Sequence, residues 1–91
     1  MKVQEATYRG GYDVYVLFED GIGGIIHLND LVENGIFIPL KDITQFAKVY
    51  TTGYSIAWSD QLEIDAATVY AELSGKAPGE IFSSPLSYAS N

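Results

Sequence analysis

Apolar positions cluster in short strand-like runs in the first third of the chain and recur with helical spacing near its end. Three strands are expected first: VQEATY (3–8), YDVYVLFED (12–20) and IGGIIHL (22–28). The second is β-branched or aromatic along most of its length, the composition that fits a pleated, half-buried surface. Asp20-Gly21 between the second and third has the chemistry of a two-residue type I′ hairpin, in which both central residues take positive φ. That turn predicts Phe18 opposite Gly23, Val16 opposite Ile25 and Tyr15 opposite Ile26. Val14, Tyr15, Val16, Leu17 and Phe18 are apolar in succession, so both faces of this strand need cover. One face is expected to pack the helices. The other is left for the C-terminal tail or a second subunit, since large bare apolar patches are rare on monomers.

Helical signals follow. NDLVENG (29–35) predicts a short turn with Asn29 as N-cap and Gly35 at the left-handed position after it. IFIPL (36–40) predicts an extended connector limited by Pro39. DITQFAKVY (42–50) predicts a second helix, with Asp42 and Gln45 as a capping box and Ile43, Phe46, Ala47 and Tyr50 on one face. VYTTGYSIAWS (49–59) predicts a strand pair or bent strand around Gly53, with Ile56 and Trp58 to one side. IDAATVYAELSG (64–75) is the clearest helix. Asp65 caps it, Ile64 staples to Val69, Gly75 ends it, and Ala66, Val69, Tyr70 and Leu73 face inward. Residues 76–91 are rich in Pro, Gly and Ser without a period and predict a flexible tail. The expected fold is α+β: a small, mainly antiparallel sheet with a β-hairpin and two to three short helices packed on one face. One domain over 1–75 and a tail over 76–91 are expected.

Composition narrows the function. The chain has 91 residues, no cysteine, and twelve acids against five bases, for a net charge of -7. Without cysteine there is neither a disulfide nor a thiolate metal site. With no apolar run of about 18 residues, no membrane span is expected. MKVQEATYRGG lacks the apolar stretch of a signal peptide, so a soluble cytoplasmic protein is the expectation. Binding to DNA or RNA rests on lysine and arginine neutralising phosphates. This chain has no basic cluster, so no direct nucleic-acid partner is expected. Between Val49 and Gly75 there is no lysine or arginine at all.

The glycines at 21, 23 and 24 raise the question of a phosphate loop. A dinucleotide fingerprint runs from a strand into a helix. Here Gly21-Ile22-Gly23-Gly24 runs into Ile25, Ile26, His27 and Leu28, a second strand. Gly75-Lys76 is followed by Ala77 and lacks the upstream glycine of a P-loop. No cofactor is expected. His27 is the single histidine and is expected to be structural, because metal sites combine histidine with cysteines or further histidines. Asp60, Glu63 and Asp65 lack the order of a calcium loop, and Glu19 and Asp20 fall at a hairpin tip. Serines cluster in the tail, where no base would be held beside them. Trp58 is expected at the core or its rim. Tyr8, Tyr12, Tyr15, Tyr50, Tyr54 and Tyr70 are too many to be buried together in so small a body.

The succession LFEDG, Leu28, GIFIPLKD, Phe46, IAW and LEIDAATVY resembles a family of small bacterial domains of unknown function, the one numbered 2442. The resemblance spans about residues 12 to 73. WSDQLEI departs from the proline-Asn-Gly type turn that often follows the tryptophan. The resemblance implies no catalytic residues. Some members are fused to a helix-turn-helix domain, and none is expected in this sequence; others look like the antitoxin half of a toxin–antitoxin pair.

The reading of the whole chain is a non-catalytic, acidic protein-interaction module, antitoxin-like or regulatory, that binds a basic protein partner. A cognate toxin is the partner the resemblance implies. The residues expected to meet it are Asp60, Glu63, Asp65 and Glu72, with Ile81, Phe82, Leu86 and Tyr88 of the tail. Alternatives are a homo-oligomeric scaffold, such as a homodimer through the two-sided strand, and a small-ligand or metal-binding protein using His27 with nearby acids.

Overall fold

A computed structural model describes residues 2–74. Two three-stranded antiparallel sheets enclose one core. The first contains β1 (Val3–Tyr8), β2 (Asp13–Phe18) and β3 (Gly23–His27) in that order, and the second β4 (Tyr50–Thr51), β5 (Ser55–Ala57) and β6 (Glu63–Asp65). The expected α+β class holds, with the single sheet resolved into two. They meet where Val3 N–H donates to Gly53 O at 2.8 Å. Between them lie 3-10 helices at Leu31–Glu33 and Gly35–Lys41 and the short helix α1 (Ile43–Phe46); α2 (Ala66–Ser74) closes the described part. No helix among the described residues is long and apolar enough to cross a membrane.

The strands of the first sheet fall where the sequence places them, but the β2–β3 register differs by one residue. Leu17 faces Gly23, Val16 faces Gly24 and Tyr15 faces Ile25. The turn is a three-residue loop, not type I′. Phe18 N–H donates to Ile22 O at 2.8 Å, and Gly21 N–H donates to Phe18 O at 3.0 Å. Only one loop residue then needs the left-handed region, and Gly21 supplies it at φ 93°. Asp20 is spared that conformation and accepts from Ile22 N–H at 2.9 Å.

Inward positions Val14, Val16, Phe18 and Ile26 are buried. The opposite face carries Tyr15, Leu17 and Ile25, flanked by Arg9 over the Tyr15 ring at 5.8 Å and by an Asp13–His27 pair at 2.7 Å. In the described residues no element packs on that face.

Residues 29–50 depart furthest from expectation. Asn29 does not cap; Asp30 precedes the first 3-10 turn and makes no side-chain capping bond. Gly35 does take positive φ, 54°. IFIPL is helical, not extended. Three residues per turn put Phe37 and Leu40 on one side, where both are buried, and the fixed φ of Pro39 suits that winding. The helix expected over 42–50 shortens to α1. Asp42 caps it by accepting from Thr44 N–H at 2.9 Å, but only Phe46 is buried. Ile43, Ala47 and Tyr50 are exposed, because the chain leaves the helix after Phe46 and Tyr50 starts β4.

Phe46 is the hub of the aromatic core. The rings of Tyr8, Tyr12 and Trp58 lie 5.9, 5.2 and 5.5 Å from it. Trp58 Nε1–H also donates to Phe46 O at 2.9 Å, which fixes the half-buried indole at the core rim. Tyr12 O–H donates to Lys41 O at 2.5 Å, tying the start of β2 to the 3-10 segment. Tyr50 and Tyr54 are exposed, and the other tyrosines of the described part are half-buried.

Candidate protein interface

The sequence singles out a base-free stretch, and the structure shows how its acids are displayed. Gly53, at φ 98°, turns β4 into β5, and a loop at Ser59–Gln61 turns β5 into β6. That second loop closes where Trp58 N–H donates to Leu62 O at 2.8 Å. In β6 only Ile64 points inward, so Glu63 and Asp65 are exposed on the other side. Asp60 is exposed in the loop before them. Asp65 also caps α2, its Oδ2 accepting from Ala67 N–H at 3.0 Å. Ala66 N–H donates to Tyr54 O at 2.9 Å, so the helix starts directly off the second sheet.

Along α2, Ala66 and Val69 are buried, while Tyr70 and Leu73 are half-buried against the core. Leu73 closes on Gly24 of β3, where a Cβ would lie 3.1 Å from Leu73 Cδ2. Tyr70 packs edge-on to Phe18 at 4.9 Å and donates its hydroxyl to Asp20 Oδ2 at 2.6 Å. This bond holds the Asp20 carboxyl below its ordinary range, helped by the Ile22 N–H, and pushes the Tyr70 phenol up. Nothing in the sequence points to the Asp20–Tyr70 link, because no local pattern joins residues 50 apart. It brings the acidic hairpin tip, Glu19 and Asp20, up to α2.

Glu72 does not stand with Asp60 and Glu63. It lies at the far end of α2, where partial burial pushes its carboxyl up and the His27 ring exerts a smaller, opposite pull. His27 is exposed on β3 with Nδ1 on Asp13, and the described residues hold no group of three or more His, Asp or Glu side chains able to bind a metal ion. Ile81, Phe82, Leu86 and Tyr88, with the whole segment 76–91, lie outside the described residues.

Three of the bases have defined neighbours, and one of these, Tyr54, belongs to the base-free stretch itself. Lys41 pairs with Glu33 at 2.9 Å, Lys2 sits over the Tyr54 ring at 5.5 Å, and Arg9 sits over Tyr15. Among the described residues, Glu33 pairs with Lys41 and the Asp13 carboxylate is bonded to the His27 ring; Asp60, Glu63, Asp65 and Glu72 take part in neither contact.

Residues 3–75 match the family described as Protein of unknown function (DUF2442). The chain belongs to this family. The match covers both sheets and α2, so the elements that build the acidic surface lie within the family's own span. No curated protein and no solved structure matches the chain.

Proposed function

We propose that this DUF2442 chain is a non-catalytic interaction module that docks a basic protein surface on the side formed by β6, its preceding loop and the start of α2. The observation that carries this reading is the set of exposed carboxylates at Asp60, Glu63 and Asp65, in a stretch from Val49 to Gly75 without a single lysine or arginine. An unbalanced field of one sign speeds encounter with the opposite sign and disfavours like-charged partners. A cognate toxin, the partner implied by the family resemblance, would satisfy this chemistry if it were basic. The carboxylates stay solvated in the free protein, so they are available without breaking internal ion pairs.

The test is association with the product of the adjacent gene, followed by surface plasmon resonance at low and high salt. Asp60→Lys and Glu63→Lys are combined with Asp65→Asn, because asparagine keeps the helix cap. The expected result is an on-rate reduced about tenfold or more, with a flattened salt dependence. Unchanged association by the triple variant removes this surface from the interaction.

A further inference from the structure

The ladder between β2 and β3 decides which backbone groups of β3 face outward. Leu28 N–H donates to Tyr12 O at 2.9 Å, and Phe18 N–H donates to Ile22 O at 2.8 Å. Between these ties, antiparallel alternation turns Gly24 and Ile26 toward β2 and the N–H and C=O groups of Gly23, Ile25 and His27 away from it. The sheet ends at β3, so in the described residues no strand takes up these groups. Gly23, Ile25 and His27 are all exposed.

Open edges of this kind are normally blunted by a bulge, a lysine or a proline. The opposite edge of the same sheet is treated that way: β1 has a register irregularity between Val3 and Glu5, is preceded by Lys2, and is tied to Gly53 of the second sheet. β3 has none of these devices; its sequence is GGIIH.

We propose that β3 pairs antiparallel with β3 of a second copy of this chain, about a two-fold axis at Ile25, joining two three-stranded sheets into one of six strands. The register is self-complementary. Ile25 faces Ile25 of the second copy, covering side chains that are 42% exposed in the single chain. Each His27 faces a Gly23, a large ring against a residue without Cβ. Gly23, Ile25 and His27 are the residues whose amides point outward, so the pairing makes about six new backbone hydrogen bonds and no like charges stand directly opposite. On the outer face Tyr15, Ile25 and their counterparts then form one continuous apolar row, because Tyr15 already faces Ile25 across β2–β3. The interface is isologous, as closed two-fold assembly requires.

This proposal is independent of the acidic-partner reading, and salt separates the two. Two bodies of charge -7 repel, so added salt strengthens the dimer, whereas it weakens docking of a basic partner. Light scattering on the full chain is expected to give twice 10.0 kDa, with the dimer fraction rising with salt. Ile25→Pro removes an amide that β2 does not use, so the monomer keeps its ladder while association falls about tenfold or more. The chain has no cysteine, so Ile25→Cys provides a single thiol. Facing cysteines about 5.5 Å apart at Cα are within disulfide reach, and oxidation by diamide is expected to yield a covalent dimer, while exposed Thr44→Cys stays largely monomeric. A wild-type chain that remains monomeric at high concentration and high salt overturns the proposal. So does a folded Ile25→Pro chain that dimerises as the wild type does; should that variant not fold, the same crosslinking yield for the two cysteine variants overturns it instead.

Discussion

The first sheet and the segment from Leu31 to Phe46 keep their shape by different means. β1, β2 and β3 are joined by ladders of backbone hydrogen bonds, with one register shift between Val3 and Glu5, and each strand holds its neighbour at several points. The Leu31–Phe46 segment has helical pieces of three, seven and four residues. Isolated helices of such length are unstable in water. They persist because each sends side chains into the core: Leu31 and Val32 from the first, Phe37 and Leu40 from the second, Phe46 from the third. A ladder spreads the damage of one lost side chain, whereas an anchored segment concentrates it on the anchor.

The sharpest way to break the contrast is Phe46→Ala. Truncating a fully buried aromatic costs about 3–5 kcal/mol, much of the 5–15 kcal/mol typical of a domain. Urea unfolding is expected to show a large fall in midpoint, and hydrogen exchange is expected to show residues 31–46 losing protection before β2. Trp58→Phe is milder. It keeps an aromatic ring but removes the indole donor to Phe46 O, which retains only the longer Val49 N–H at 3.3 Å, at a cost of about 1 kcal/mol by the same measurement.

On the sheet side the expected effects are smaller and depend on pH. Tyr70→Phe removes the main cause of the lowered Asp20 carboxyl. A depressed carboxyl stabilises the fold above its unfolded value, and that contribution is lost as pH falls through the folded one. Wild type is therefore expected to exceed the variant in melting temperature at neutral pH and to converge with it in strong acid. The raised Tyr70 phenol gives the matching alkaline limb: its contribution is present below its ordinary value and lost as pH climbs through the raised one.

Glu72→Gln is the smallest change and has the opposite sign. The Glu72 carboxyl is pushed up, so its contribution is present below the ordinary value and lost as pH rises through the folded one. At neutral pH the neutral isostere is expected to stabilise by a few tenths of a kcal/mol, discounted for a group still largely in solvent, and to give no gain in acid. Thermal melts at the two pH values check this.

The same contrast explains what is legible in the sequence. β-Branched and aromatic composition bounded by turn residues marks the first-sheet strands, and Asp65 with Ile64 marks the start of α2, because those signals are local. The hairpin register is not fixed by Asp20-Gly21, since a two-residue and a three-residue loop can both use that pair. Seven residues wound three to a turn around Pro39 give no helical stripe, and the period of 3.6 carried through Phe46 overruns the true end of α1. β6, three residues long, has no room for a pattern and merges in the sequence with the lead into α2. Of the candidate surface, the acids Asp60, Glu63 and Asp65 are visible as a run without bases. Their separation from Glu72, the Asp20–Tyr70 bond and the bare edge of β3 belong to tertiary structure.

Trp58 is the sole tryptophan, and its indole rests on Phe46 with the ring N–H bonded to that residue's carbonyl. The chain therefore carries an intrinsic optical probe of how the anchored Leu31–Phe46 segment is seated, since the indole lies against both Phe46 and Phe37. Its emission follows that seating, so a red shift that precedes loss of the far-ultraviolet strand signal would time the release of the segment separately from the melting of the sheet.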